Sequence, residues 1–139
     1  MFIPKSEFVI ITRRDSSIPK RHFLRVNPMS VLMIIEADIE NIDRFIAYTE
    51  AVFKLVVHFG GRYRVLKGTK TTLEGDWGQT KIAISEWPSM EAAQTFWNSP
   101  EYAAVRKMRA GAAQVRIMLA ETVSDDQWMQ MLQADNVAE

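Results

Sequence analysis

Few side chains in this chain are suited to chemistry, and each has a plainer competing role. His22 and His58 are the only imidazoles, the side-chain type that titrates near neutral pH. His58 is the candidate catalytic residue, as a general base or proton carrier; its plainer role is a cation in a helix's last turn, where the dipole favours it. Arg62 and Arg64 stand two apart and share one face if the backbone is extended. Arg64 and Arg109 are the candidates for clamping a carboxylate or enolate. Solvated edge charge is the commoner role of a strand arginine. For Arg109 the alternative is a buried salt bridge, with Glu74 or Glu86 as partner. Trp87, Trp97 and Tyr102 are candidate walls of an apolar ligand pocket, or core and interface packing.

Other motifs weigh towards structure. In Glu74-Gly75-Asp76-Trp77, Gly75 supplies a positive φ, Asp76 bonds the backbone and Trp77 lids the core; a general-acid role would need a carboxylate in an apolar setting. Ser99-Pro100-Glu101-Tyr102 reads as a helix start rather than a serine nucleophile, with cap, proline and acid in the expected order. No G-x-S-x-G, P-loop or G-x-G-x-x-G segment occurs, so serine hydrolysis and nucleotide binding have no motif support. No metal site is expected, because the chain has no Cys and no H-x-x-H or E-x-x-H spacing.

The elements that must position these residues follow from periodicity. Val31–Ala37 is an apolar run of strand length. Asn41 caps a helix whose Ile42, Phe45, Ile46, Thr49, Val52, Phe53, Val56 and Val57 recur at helical spacing, and Gly60-Gly61 ends it. Arg62–Lys67 and Lys81–Trp87 read as strands, with a turn at Gly75–Gly78. Ser89 and Ser99 start two further helices, Gly111 ends the second, and Val115–Glu121 is the last strand. Residues 124–139 form a helical tail with Trp128, Met131 and Leu132 on one side. Residues 1–30 form an arm holding six basic and two acidic side chains, with a short strand at Glu7–Thr12 and a polar loop after it. The central domain is 31–123. The order β-α-β-β-α-β is the ferredoxin-like pattern, which covers one sheet face with helices. Since Val31–Ile35 is apolar on both sides, the second face needs a cover, and a second copy of the same face supplies it.

Composition bounds the function. The chain has 139 residues, 47% hydrophobic and 24% charged, with a formal net charge of zero, so it forms one core-bearing domain. Zero net charge argues against nucleic-acid coating, and Lys20, Arg21, His22 and Arg25 are too few, with Phe23 the only aromatic among them. No apolar run approaches a membrane span, and the start lacks the order of a signal peptide. The expectation is a cytoplasmic protein that contacts neither nucleic acid nor membrane.

Four segments together carry a resemblance. They are His58-Phe59-Gly60-Gly61-Arg62-Tyr63, Leu73-Glu74-Gly75-Asp76-Trp77, Glu86-Trp87-Pro88-Ser89-Met90-Glu91-Ala92-Ala93 and Asn98-Ser99-Pro100-Glu101-Tyr102. The chain resembles the bacterial family called domain of unknown function 1330, a branch of the dimeric α/β-barrel superfamily. That resemblance implies an α+β fold: a ferredoxin-like βαββαβ protomer forming a dimeric α/β barrel, here with an N-terminal arm and a short C-terminal helix. It also implies a homodimer or a multiple of dimers, and Arg109 matches a recurrent family arginine. Trp87 and Trp97 stand where the family more often has Phe and Tyr, and Phe59 replaces a Tyr. By analogy with similar barrels, the function expected is binding of a small acidic or aromatic metabolite in a half-barrel pocket, with cofactor-independent isomerase or monooxygenase chemistry. No cofactor is expected, haem included. The alternative is a non-catalytic metabolite-binding or protein-interaction module.

Overall fold

The computed structural model describes residues 29–134; the arm's expected strand, its basic cluster and His22 lie outside the described residues. Met29–Val123 forms one unit, with elements β1 (Val31–Ile39), α1 (Ile42–His58), β2 (Arg62–Val65), β3 (Lys81–Trp87), α2 (Met90–Trp97), α3 (Pro100–Arg106), a 3₁₀ turn (Lys107–Arg109) and β4 (Ala113–Glu121). The sheet is antiparallel in the order β2-β3-β1-β4. This is the ferredoxin-like α+β arrangement that the order of elements predicts. The strand β1 runs two residues further than its apolar run, because Asp38 and Ile39 continue the ladder with β4.

Pairing register and side-chain alternation sort the sheet into two faces. Val31, Met33, Trp87, Ile117 and Leu119 point to the helices and join Tyr48, Val52 and Val56 of α1, Ala93 and Phe96 of α2, and Tyr102 of α3 in one core. The opposite face carries Leu32, Ile34, Ile82, Ile84, Met118 and Ala120, with Arg64–Glu86 (3.0 Å) and Arg116–Glu36 as ion pairs on either side. Ser30 Oγ also donates to Glu86 at 2.6 Å. A register shift between Tyr63 and Val65 bulges β2. Tyr63 thus packs with the helices while Arg64 reaches the open side.

The periodicity of α1 misplaces its buried stripe. Ile42, Ile46 and Val57 are exposed, and the buried line is Tyr48, Val52 and Val56. A tyrosine with a satisfied hydroxyl takes a core position that an apolar count passes over. At the helix end, Gly60 N–H donates to Val57 O and Gly61 N–H to Val56 O, with Gly60 at φ +98. This is the Schellman pattern. Asn41, Ser89 and Ser99 all cap as their spacing predicts. Trp77 differs: it is 53% exposed and does not lid the core. Its turn is nonetheless built as expected, with Gly75 at positive φ and Asp76 Oδ1 accepting from Gly78 N–H. The helix after this unit, α4 (Asp125–Gln133), begins with a Ser124/Gln127 capping box, and Trp128, Met129, Met131 and Leu132 are all exposed on it.

Gly61 and Gly60 face different constraints. A Cβ at Gly61 would lie 2.7–2.8 Å from the Trp87 ring, whereas one at Gly60 meets nothing but a left-handed φ. Trp87 cannot yield, being fully buried. Gly61→Ala should cost about 1–3 kcal/mol by overpacking, and Gly60→Ala about 1–2 kcal/mol by backbone strain. Urea unfolding distinguishes the causes: a second substitution, Trp87→Phe, should recover stability in Gly61→Ala and none in Gly60→Ala.

Candidate functional site

Tyr48 meets Tyr102 and Arg109, more than fifty residues later in the sequence, between α1, α3 and the 3₁₀ turn. Tyr102 is placed by its own helix start, since Ser99 Oγ accepts from the Tyr102 amide at 3.0 Å. Ser99 donates its own proton to Phe96 O at 2.8 Å, so it is occupied as a structural residue. Tyr48 lies three turns before the Gly60 stop, and its hydroxyl is 2.9 Å from that of Tyr102. Arg109 Nη2 donates to the Tyr102 hydroxyl at 3.3 Å, and its guanidinium carbon lies 5.3 Å from the Tyr48 ring centroid. Arg44 fixes the backbone on either side of Arg109, donating to Met108 O at 3.3 Å and Ala110 O at 2.6 Å.

Aromatic packing surrounds the cluster. Phe96 and Trp97 press on Tyr102 at 4.7 and 5.1 Å, and Phe45 on Tyr48 at 5.5 Å. Arg106 sits over Trp97 at 4.9 Å. Trp97 also lines a cleft of about 300 Å³ with Met33, Gln94, Asn98, Ile117, Met118 and Leu119. Trp97 thus touches both the cleft and the Tyr102 ring.

The electrostatics favour neutral phenols. Burial, and then Tyr102 beside it, push the Tyr48 phenol well above its ordinary value, and Arg109 offsets this only in part. Burial, and then Tyr102, push Tyr63 up to about 12. Arg109 keeps its charge, because its contacts with Tyr102 and Tyr48 outweigh the desolvation that would lower it. Its Nε is buried and has no acceptor. The expected partners Glu74 and Glu86 do not reach it: Glu86 is held by Arg64 and Ser30, and Glu74 is exposed in the β2–β3 loop. Among the described residues, neither ion pair involves Arg109.

The remaining sequence-predicted residues do not join this cluster. His58 is exposed in the last turn of α1, edge-on to Phe59, and lines a shallow cleft of about 580 Å³ with Glu91, Glu101 and Asn98. Arg64 belongs to the open sheet face. Trp87 is 1% exposed, with Nε1 bonded to Ser85 Oγ at 2.9 Å; it packs the core and lines neither of the clefts described above. Trp97 and Tyr102 do converge across the break between α2 and α3. Tyr48 is the member that sequence reasoning missed. The available signal was a tyrosine four residues before Val52 on the buried stripe, a position where its hydroxyl requires a partner. Among the described residues no group of three or more His, Asp or Glu is placed to hold a metal ion. No described helix is long and apolar enough to cross a membrane.

A one-sided four-stranded antiparallel sheet with this element order defines a ferredoxin-like α+β fold, and solved structures agree. A Rhodopseudomonas palustris protein of unknown function aligns with a TM-score of 0.56 at 16% identity, over 85% of this chain and 92% of that one. A Nitrosomonas europaea protein described as a "putative antibiotic biosynthesis monooxygenase" aligns with a TM-score of 0.50 at 13% identity, over 70% and 92%. A hypothetical Arabidopsis thaliana protein gives 0.51 at 14%, over 73% and 95%. At such identities the likeness concerns the fold. No curated protein matches the chain. The family is set by sequence: residues 30–123 match the model of the domain of unknown function DUF1330, and the chain belongs to that family.

The raised phenols fix the alkaline limit of stability. Both bind their protons more tightly folded than unfolded, so their contribution is complete below the unfolded value of 10 and declines as pH rises from there. The melting temperature should hold up to about pH 10 and then fall. In Tyr63→Phe the slope between about 10 and about 12 should be shallower than in the parent. An unchanged slope would refute the burial argument.

Proposed function

We propose that this protein binds a small compound bearing a carboxylate or phenolate on the helix side of its sheet, next to Trp97, Tyr102 and Arg109. Arg109 carries the reading. A half-buried guanidinium is normally matched by a carboxylate, yet its described neighbours are two phenols. A ligand anion would supply the missing charge through strong, charge-assisted hydrogen bonds. The cleft lined by Trp97 suits an apolar or aromatic body, with Gln94 and Asn98 as polar handles. The reaction class that suits such a site is proton transfer at, or cofactor-independent oxygenation of, an acidic aromatic or enolisable compound. The fold shared with the Nitrosomonas protein supports that class by analogy. His58, in its separate cleft, is then a surface residue for this ligand. A non-catalytic interaction role is the second reading, favoured by the exposed apolar side chains of α4.

The same proposal includes a homodimer joined through the open sheet face. Leu32, Ile34, Ile82 and Ile84 form an apolar centre between two ion pairs, a pattern that can meet its own copy about a two-fold axis.

Titration calorimetry with benzoate and benzamide tests the ligand class. Benzoate should bind and benzamide should bind at least tenfold more weakly, in line with about 1.5–3 kcal/mol for a hydrogen bond to a charged group. Arg109→Met should abolish benzoate binding while the melting temperature stays level or rises, because an unmatched buried cation is removed. Equal binding of both compounds, or benzoate binding retained in Arg109→Met, would sink the reading. Sedimentation tests the dimer: the parent protein should run as a dimer or a multiple of it, and Ile84→Lys as a folded monomer. A monomeric parent would remove the sheet-to-sheet assembly.

A further inference from the structure

We propose that the helix α4 is the docking surface for the chain's own N-terminal arm, residues 1–28, which lies outside the described residues. Two observations carry this: where the chain enters and leaves the central unit, and the opposite charge of its two ends. Ser30 N–H donates to Thr122 Oγ1 at 2.8 Å, and Thr122 N–H donates to Ser30 O at 2.8 Å. The point where the arm joins the unit is therefore beside the residue that precedes Val123 and Ser124, the cap of α4. With its nine residues α4 is about 13 Å long, a distance that about four extended residues cover. So short a tether presents the arm to α4 at an effective concentration of about millimolar. The arm of a second copy brings only its bulk concentration.

The helix needs such a cover. Trp128, Met131 and Leu132 recur at helical spacing with Met129 beside them, and all four are more than half exposed. A helix this short draws its stability from packing an apolar face, and its capping box supplies only part of what is required. Charge selects the occupant. Residues 124–139 carry Asp125, Asp126, Asp135 and Glu139 and no Lys or Arg, whereas the arm carries six basic side chains and two acidic ones. The arm also repeats the pattern of the helix. Asp125 lies on the same face as Trp128, Met129 and Leu132; in the arm, Phe8-Val9-Ile10-Ile11 is followed by Arg13-Arg14, and Phe23-Leu24 is flanked by Arg21 and Arg25. Exposed ion pairs contribute little by themselves. Burial of the stripe therefore supplies the affinity, and charge fixes which segment docks. A second copy of α4 would set like charge against like.

Zero-length carbodiimide cross-linking of the full chain, which joins lysine amines to carboxylates in contact, tests this. It is run on a refolded equal mixture of nitrogen-15-labelled and unlabelled protein and read by mass spectrometry. Lys5 or Lys20 should be joined to Asp125, Asp126, Asp135 or Glu139, and both halves of each linked pair should carry the same label. Trp128→Ser combined with Leu132→Asp should lower the yield about tenfold through lost apolar burial, and speed tryptic cleavage after Lys20 and Arg21 by a similar factor. Arg13→Glu with Arg14→Glu leaves α4 intact and should lower the yield in the same direction. Met118→Ser, at an exposed apolar position on β4, should leave both readouts at the parent level. Linked pairs with mixed labels in half of all cases would give the face to a second copy's arm. No cross-link, or a yield that neither variant changes, would overturn the docking altogether.

Discussion

The ring of Trp87 lies flat against the bare backbone of Gly61, and most of the protein's geometry depends on that contact. It fastens the end of the long helix to the last residue of the central strand β3, with the ring's indole N–H held by Ser85. Phe96 packs on the other side of Trp87, and Tyr102 packs on Phe96. With the end of α1 fixed and its cap at Asn41 bonded through the amides of Glu40 and Asn41 to Ala112 O, the helix is held at both ends. Tyr48 then has one place to go. Sub-ångström positioning of two hydroxyls from segments 54 residues apart is feasible because close-packed interiors do not deform continuously.

A second constraint is the cation inside that packing. A guanidinium taken from water must recover its solvation from dipoles or from an anion. Phenols are weak replacements: they supply oxygen lone pairs and ring faces but no formal charge. The fold therefore keeps Arg109 in place by backbone means, with Arg44 gripping the two adjacent carbonyls. One arginine is spent on positioning another. An arrangement of this kind is costly to maintain for packing alone, since apolar residues of similar volume would fill the space with less desolvation.

Much of the fold was legible in the sequence, because its signals were local. Asn41, Ser89 and Ser99 announced helix starts, and Gly60-Gly61 announced a stop with its hydrogen bonds in the expected places. Lys81–Trp87 matched the observed strand to the residue. The bulge in β2 was not legible, since nothing in Arg-Tyr-Arg-Val marks where pairing slips. The site was legible in pieces. Tyr102 and Trp97 were singled out by residue type and by their spacing across the helix break, and Arg109 by residue type and its match to a recurrent family arginine. Tyr48 escaped because its significance comes from a contact across the fold, and an isolated tyrosine on a helix gives no sign of the hydroxyl it will meet. The carboxylate expected beside Arg109 failed for the converse reason: Glu86 alternates to the face opposite the helices, which a count of charges cannot reveal.

The hydroxyl pair spans two helices and no strand. Strand pairing can remain intact while α1 and α3 separate by the length of one hydrogen bond, and helix docking is the kind of contact that opens locally at less than the global cost of unfolding. Small outward excursions of α3 would interrupt the Arg109–Tyr102–Tyr48 sequence before they disturbed the sheet. Hydrogen-bond continuity in this protein is thus a property of interhelical breathing, and its lifetime is set by how firmly the short segment from Ser99 to Arg109 is seated.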